Sequence, residues 1–409
     1  MIYGLIGEKL GHSFSKEIHQ SIADYEYNLI EIPRDKLGSF MEKKSFKAIN
    51  VTIPYKQEVM PYLDYISPRA ERIGAVNTIV RKGNKLYGYN TDYYGLRLML
   101  ENFGAELKGK SVLIIGAGGA AKTAHCVAED MGADEIKMVT RSVRHDSISY
   151  DEAYAKFNSV RYIINASPCG MYPDNQACPI DIDRFPALEG VFDAIYNPLR
   201  SELVMRAREK CITAEGGLYM LVAQAVKACE IFLGKELPEG ILKDTYDEVL
   251  KSKENIVLTG MPGSGKTAKG RIVAEKLGRE FCDIDEIIVK EEGKPISKVF
   301  KLYGEEYFRK KEAQVIERLS AQNGIVISTG GGSILRSDNV KNLKKNGRIY
   351  FINRPLEDIK PTDDRPLSSN YEALKKRFEE RYPLYISTSD VEIKSKGIID
   401  DAMKILERE

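Results

Sequence analysis

Short apolar runs recur along this chain, separated by longer stretches in which apolar residues return every three or four positions. The runs at 1–6, 27–32, 48–51, 111–115, 135–139, 162–165, 190–193, 255–259 and 324–327 have the length of buried strands. The stretches at 121–131, 219–233, 238–251 and 398–409 have helical spacing. Strand and helix in alternation predict an α/β protein with mostly parallel sheets. No short-period repeat or low-complexity tract breaks the pattern. Three blocks emerge. Residues 1–95 combine short strands with polar motifs and are completed by about 218–250. Residues 96–217 read as a strand, a glycine turn and a helix followed by more strands. Residues 255–409 open with a second glycine loop, after a short charged linker, Lys251-Ser252-Lys253-Glu254.

Composition narrows the class. Hydrophobic residues make up 43% and charged residues 30% of the 409 positions, the balance of a globular protein with sizeable cores and two or three domains. A net charge of +1 gives no global pull toward nucleic acid or acidic membranes, so neither is expected as a partner. No stretch reaches the roughly 18 apolar residues of a membrane span. Residues 1–9 lack a basic region followed by an apolar run, so no signal peptide is expected. Six cysteines without a C-x-x-C pair and four histidines without ligand spacing argue against zinc. The expectation is a reduced, cytoplasmic, soluble protein.

Two glycine loops of different design carry the chemistry. Gly116-Ala117-Gly118-Gly119-Ala120-Ala121 joins the run at 111–115 to a helix, the arrangement that receives a dinucleotide pyrophosphate on a helix N-terminus in a Rossmann-type domain. The next strand ends in Thr140-Arg141-Ser142, with Arg144 close behind and no carboxylate for a ribose 2′-hydroxyl. A guanidinium there suits a 2′-phosphate, so NADP(H) is expected over NAD. The second loop, Gly260-Met261-Pro262-Gly263-Ser264-Gly265-Lys266-Thr267, matches G-x-x-x-x-G-K-T in full. It predicts a P-loop domain with a parallel sheet flanked by helices. The backbone of Gly263, Ser264 and Gly265 would wrap the phosphates of ATP, Lys266 would reach the β- and γ-phosphates, and Thr267 would ligate Mg²⁺.

The first block is rich in hydroxyl and amide groups: His12-Ser13-Phe14-Ser15, Asn50-Val51-Thr52-Ile53-Pro54-Tyr55-Lys56, Gly74-Ala75-Val76-Asn77-Thr78 and Gly88-Tyr89-Asn90-Thr91-Asp92. Singly these are turn chemistry; together they suit a small polyhydroxylated ligand. With Asn165-Ala166-Ser167-Pro168, Asp193, Tyr196, and Gly217, Met220 and Gln224 in the same order, residues 1 to about 250 resemble shikimate dehydrogenase. The resemblance implies that Ser13 and Ser15 bind the substrate carboxylate and that Thr52, Asn77, Asp92 and Gln224 hold its hydroxyls, with Tyr196 bordering the site. It places Gly217 and Met220 near the nicotinamide and makes Lys56 and Asp92 the catalytic pair. An ammonium can donate the proton that an alkoxide needs after hydride delivery, and a carboxylate can hold the amine in place. The chain departs from the family pattern at Lys16, where a proline is common, and at Thr140, where Asn is common.

Residues 255–409 resemble shikimate kinase through the phosphate loop, Asp283-Ile284-Asp285, Phe308-Arg309-Lys310-Lys311-Glu312, Ser328-Thr329-Gly330-Gly331-Gly332, Arg365-Pro366-Leu367 and Arg381-Tyr382-Pro383-Leu384-Tyr385. The resemblance implies that Arg309 and Arg381 fork the substrate carboxylate and that Asp285 accepts the hydroxyl proton. Asp283 would stand by Mg²⁺ through water, Gly331 and Gly332 would approach the substrate, and Arg365 on a lid would stabilise the transferring phosphoryl group. The stretch 355–364 is short and has Lys360 as its only basic residue, without the arginine that often contacts adenine. Together the two resemblances imply reduction of 3-dehydroshikimate to shikimate and then phosphorylation of shikimate to shikimate 3-phosphate. Two alternatives stay open: one half is a regulatory module without turnover, or the dehydrogenase site also accepts quinate.

Overall fold

The computed structural model describes residues 2–11, 13–143, 147–359 and 371–408. Its chain forms two compact units, Met1–Val249 and Leu250–Glu409. The segment read as a linker, 251–254, lies in and just after the last turn of the helix Ile241–Lys253.

The first unit holds two six-stranded sheets. One runs in the order Tyr27–Glu31, Ile2–Gly7, Phe46–Val51, Thr78–Lys82, Lys85–Tyr89, Tyr65–Ile66. Its first three strands are parallel, but Thr78–Lys82 runs antiparallel to both of its neighbours. Tyr65–Ile66 pairs parallel with Lys85–Tyr89, so the sheet is mostly parallel, as expected, with Thr78–Lys82 as its one reversed strand. That reversal comes with the two-residue turn Gly83-Asn84, with Gly83 at φ 62°, which closes a hairpin where a parallel pairing would need a long crossover. Ile6, Ile49, Val51, Val76, Ile79 and Leu86 form part of the core beneath this sheet.

The second sheet is parallel throughout, in the order Thr213–Glu215, Gly190–Asp193, Tyr162–Asn165, Ser111–Ile115, Glu135–Val139, Ser147–Ile148. The strand order reverses beside Ser111–Ile115, so a crevice opens at the carboxyl end of that strand. The first glycine loop stands there. Separate cores, one around Ile114 and Leu100 and one around Leu113 and Val191, pack against the sheet. The helix after the loop, Gly119–Asp130, starts two residues earlier than the apolar spacing indicated, because the extended Gly118 lets it begin within the glycine run.

Two helices join these sheets into one unit. Leu218–Leu233 packs along Asp92–Asn102, and the contact is close at Gly95: a β-carbon there would lie 2.4 Å from the Met220 carbonyl oxygen. Ala228 and Phe232 on the same long helix pack with Tyr3, Leu5 and Tyr27 of the first sheet.

The second unit is a five-stranded parallel sheet in the order Phe281–Asp283, Val326–Ser328, Asn255–Thr259, Gly347–Asn353, Val391–Lys394. Helices cover its faces. Ile284, Val315, Ile316 and Ile349 belong to one core; Val273, Tyr350, Ala402 and Ile405 belong to another. The helix Ile296–Ser320 is broken at Gly304, where φ is 82° and ψ 170°.

Gly95→Ala should destabilise the first unit. Its methyl group has no room against the Met220 carbonyl, and overpacking of this kind costs about 1–3 kcal/mol. Urea unfolding should show an earlier transition for the first unit and an unmoved transition for the second; two unmoved transitions would contradict the close packing.

Candidate active sites

Lys56 lies just beyond the strand Phe46–Val51, and Asp92 opens the helix Asp92–Asn102. Lys56 Nζ donates to Asp92 Oδ2 at 2.7 Å, with the side chains 21% and 12% exposed. The positive end of the helix favours the Asp92 carboxylate. Directly before Asp92, Thr91 is fully buried. Its amide donates to Asn77 Oδ1 at 2.7 Å, and its hydroxyl lies 3.3 Å from Gln224 Oε1. Asn77 Nδ2 donates to Thr91 Oγ1 at 3.0 Å and reaches Gln224 Oε1 at 3.5 Å. The Gln224 amide donates to the Leu221 carbonyl at 2.9 Å. Behind this mesh, Tyr27 Oη donates to Asn50 Oδ1 at 2.7 Å, and Asn50 Nδ2 to Thr78 Oγ1 at 3.1 Å. Asn77, Gln224, Lys56 and Asp92 are thus brought into one neighbourhood; Thr91 and Asn50 stand in the motifs read from sequence but without a role of their own, and Tyr27 was not singled out. Thr91 carried a signal, being the hydroxyl beside the acidic residue.

The serines form their own group. Ser13 Oγ accepts the Ser15 amide at 3.3 Å, and Ser15 is buried at the start of the helix Ser15–Ile22. Phe14 between them packs on Tyr196, ring centroids 5.2 Å apart, and burial pushes the Tyr196 phenol up. Thr52 is half-buried; its methyl group would lie 2.7 Å from a β-carbon on Gly7. His12 lies outside the described residues.

The first glycine cradle is open. Gly116 has φ 117°, Gly118 precedes the helix Gly119–Asp130 without any side-chain cap, and Gly119 and Ala120 are half-buried. Uncapped N–H groups at a helix N-terminus suit a pyrophosphate. Thr140 Oγ1 bonds to the Ser142 carbonyl at 3.0 Å and meets Ser147 Oγ at 2.9 Å, while Arg141 is exposed. Arg144 lies outside the described residues. Across the unit, the Gly217 amide donates to the Ile195 carbonyl at 2.8 Å. A β-carbon on Gly217 would lie 2.3 Å from the Ala194 oxygen, and Met220 is buried one turn later. These residues fit a dinucleotide.

In the second unit Gly260, Gly263 and Gly265 have φ of 146°, 85° and 86°, the left-handed region that the loop's turn requires. Lys266 Nζ curls onto the Gly260 and Met261 carbonyls at 2.9 and 3.0 Å. Ser264 is fully buried. Thr267 Oγ1 donates to Asp283 Oδ2 at 2.7 Å, and Asp283 Oδ1 caps the next helix through the Asp285 and Glu286 amides. A hydroxyl and a carboxylate so placed are hard oxygen donors that fit Mg²⁺ completed by phosphate and water.

The glycine triplet gathers the remaining groups. A β-carbon on Gly330 would lie 2.7 Å from Glu312 Oε1 and 3.0 Å from Asp285 Oδ1; on Gly331, 2.6 Å from the Pro262 ring; on Gly332, 2.4 Å from Arg309 Nη2. Arg381 Nη1 and Tyr385 Oη both donate to the Gly331 carbonyl, at 2.9 and 2.5 Å. Glu312, fully buried, pairs with Arg309 Nη1 at 2.8 Å and accepts from Ser333 Oγ at 2.6 Å. Burial works against the Arg309 charge, but Glu312 and Glu305 more than offset it and raise its pKa. Asp285, Arg309, Arg381 and the phosphate loop therefore converge on three residues. Glu312 and Tyr385 were missed as contributors, though each stands one helical turn from an expected arginine. Arg365 and Lys360 lie outside the described residues.

Residues 262–408 match the family model of shikimate kinase, and residues 5–79 that of the shikimate dehydrogenase substrate binding domain. A shikimate dehydrogenase (NADP(+)) of Clostridium beijerinckii is 38% identical over 259 residues, covering 60% of this chain and 96% of that protein. Its counterpart in Clostridium perfringens is 39% identical over 266 residues, covering 61% and 98%. Among solved structures, shikimate dehydrogenase 1 from Peptoclostridium difficile matches with a TM-score of 0.57 and 36% identity, over 61% of this chain and 97% of that one. A chorismate mutase/shikimate 5-dehydrogenase fusion protein from Clostridium acetobutylicum matches with a TM-score of 0.58 and 38% identity, over 61% and 96%. The chain belongs to the shikimate dehydrogenase family over its first unit, and a shikimate kinase domain follows in the same polypeptide.

Proposed function

We propose that this bifunctional enzyme reduces 3-dehydroshikimate to shikimate at its first site and phosphorylates shikimate to shikimate 3-phosphate at its second. NADP-dependent shikimate dehydrogenase and ATP-dependent shikimate kinase are its two activities. The observation that carries the residue assignment is the Lys56–Asp92 pair at 2.7 Å beside the buried Asn77–Thr91–Gln224 mesh. A proton donor and fixed hydroxyl-binding groups occur together there. Residues 1–95 with about 218–250 form the substrate lobe, 96–217 the NADP lobe, and 255–409 the kinase.

NADPH supplies the hydride when bound. Lys56 Nζ stands where a carbonyl oxygen can accept its proton, and Asp92 keeps the amine aimed. Asn77, Thr52 and Gln224 hold ring hydroxyls, Ser13 and Ser15 take the carboxylate, and Tyr196 closes the side. Gly116, Gly118, Gly119 and Ala120 let the helix N-terminus approach the pyrophosphate. Thr140 and Arg141 take the 2′-phosphate, and Gly217 and Met220 border the nicotinamide.

At the kinase site MgATP supplies the phosphoryl group when bound. Asp285 accepts the proton of the substrate hydroxyl, Arg309 and Arg381 fork the carboxylate, and Gly331 and Gly332 let the backbone close on the ring. Lys266 and the amides of 263–267 neutralise phosphate charge, and Thr267 and Asp283 hold Mg²⁺. Arg365 is assigned to the lid from its sequence context alone. The partners are these small molecules. No helix among the described residues is long and apolar enough to cross a membrane, and we place the enzyme in the cytoplasm.

Lys56→Ala should lower NADP-linked oxidation of shikimate by about 10²–10⁴-fold and leave the kinase rate unchanged; Lys266→Ala should do the reverse. Coupled assays on the purified chain, following NADPH at 340 nm by absorbance and shikimate 3-phosphate by chromatography, check both. Loss of both activities from either substitution in a folded chain would refute two separable sites.

Arg141→Ala should raise KM for NADPH about tenfold, as expected for one lost charge-assisted contact, and leave KM for NADH unchanged. Equal effects on both cofactors would remove Arg141 from the 2′-phosphate.

A further inference from the structure

The helix that follows the phosphate loop buries a lysine that the mechanism above does not use. The buried residues of Lys266–Leu277 are Lys266, Lys269, Gly270, Val273 and Ala274, a core-facing stripe by spacing. Lys269 is 1% exposed. The helix packed against it, Ile398–Leu406, shows the matching anomaly: Asp401, fully buried, shares a stripe with Ala402 and Ile405. Lys269 Nζ lies 3.3 Å from Asp401 Oδ2 and donates to the Ser264 carbonyl at 2.7 Å. Asp401 is itself fixed by the Ser395 hydroxyl at 2.5 Å and the Lys396 amide at 3.0 Å. From the end of the neighbouring strand, Arg354 Nη1 donates to the Gly263 carbonyl at 3.3 Å.

A charge pair in this seam is a poor way to gain stability. Taking both ions from water offsets most of their attraction, and apolar residues of similar volume are often as stable or more so. Burial lowers the Lys269 pKa against the pull of Asp401. What an apolar residue could not supply is a donor to the loop. N–H groups that converge on a phosphate force intervening carbonyls to point away from it, into the protein, and a buried carbonyl requires a partner. Lys269 and Arg354 serve two successive carbonyls of this kind. The ammonium sits directly under the turn: a β-carbon on Gly265 would lie 2.8 Å from Lys269 Nζ.

We propose that Lys269, aligned by Asp401, is a positioning residue of the kinase: it fixes the Ser264 carbonyl and thereby the peptide planes whose N–H groups receive the nucleotide phosphates. The inference rests on the phosphate loop binding MgATP. It also ties that loop to the turn at Ser395-Lys396, so the C-terminal helix takes part in shaping the nucleotide site.

Lys269→Met alone leaves Asp401 buried with only the part-exposed Lys404, 3.7 Å from its Oδ1, as a cationic partner, so it tests folding as much as binding. The decisive variant is the double substitution K269M/D401N, which removes both charges and leaves the Ser264 carbonyl without its lysine. Calorimetric titration of the full chain with MgADP should show binding about tenfold weaker. KM for MgATP should rise to match, KM for shikimate should stay unchanged, and the kinase unit should unfold at or above the wild-type midpoint. Wild-type MgADP affinity in the folded double variant would overturn the proposal. So would an equal rise in both KM values, the mark of a general loosening. The dehydrogenase rate normalises the amount of chain in each preparation, and the kinase unit's own unfolding transition reports its folded fraction. A wild-type chain that did not bind MgADP would overturn the kinase reading itself, and the inference with it.

Discussion

Carbon and oxygen atoms that are not bonded settle about 3.5 Å apart, and both sites of this enzyme depend on main chain coming closer than a β-carbon permits. In the first unit the Met220 carbonyl would stand 2.4 Å from a β-carbon at Gly95, and the Ala194 carbonyl 2.3 Å from one at Gly217. The first approach lets the helix carrying Gln224 lie along the helix that Asp92 opens. The second holds the turn before that helix against the loop that carries Tyr196. In the second unit the triplet Gly330-Gly331-Gly332 lies against the Glu312 carboxylate, the Pro262 ring and the Arg309 guanidinium, each within 2.7 Å of where a β-carbon would be. Remove the closeness, and the side chains that do chemistry no longer share a neighbourhood.

The two nucleotide cradles solve one electrostatic problem differently. At Gly116–Gly119 a helix presents uncapped N–H groups and the protein leaves the approach open, with one exposed arginine, Arg141, beyond the next strand. At Gly260–Thr267 the loop folds around the space itself. Its lysine is buried, and its threonine is bonded to an aspartate on the neighbouring helix cap. A pyrophosphate spread along a dinucleotide needs only a favourable dipole and room. A terminal triphosphate with Mg²⁺ concentrates more charge and calls for donors on every side.

Most of this was legible in the sequence wherever the signal is local. The strands at 111–115, 162–165, 190–193 and 255–259 occur with those bounds, because central parallel strands are buried on both faces and read as apolar runs; 135–139 also occurs with its bounds, as a half-buried strand. The hairpin Thr78–Lys82/Lys85–Tyr89 was hidden, since its residues are dense in polar motifs and its turn signal is only Gly83-Asn84. Thr91 and Glu312 stand beside recognised residues, but their importance lies in partners distant along the chain, Gln224 for one and Ser333 for the other. Lys269 and Asp401 were least visible. Each looks like an ordinary charged helix residue until the helix face is known, and only packing shows that both occupy apolar stripes.

The kinds of polar group buried at each site follow from the charge each reaction develops. Around Lys56 and Asp92 the buried partners are neutral: Asn50, Asn77, Thr78, Thr91 and Gln224. Hydride addition to a ketone generates one alkoxide charge, which a single ammonium can meet, and ring hydroxyls call for amides and hydroxyls rather than ions. Around the phosphate loop the buried hydroxyls of Ser264, Ser328, Thr329 and Ser333 are joined by buried ions: Lys266, Lys269, Asp283, Glu312, Arg381 and Asp401. Phosphoryl transfer moves charge among several oxygens, and stabilising it requires cations whose positions are fixed before the ligand arrives. Fixing a buried cation requires in turn a buried anion or a carbonyl, so the carboxylates Glu312 and Asp401 belong to the same requirement as the arginine and lysine they hold. On this argument Glu312 stands to Arg309 as Asp401 stands to Lys269. One pair holds a cation against the glycine triplet, and the other holds a cation beneath the phosphate loop.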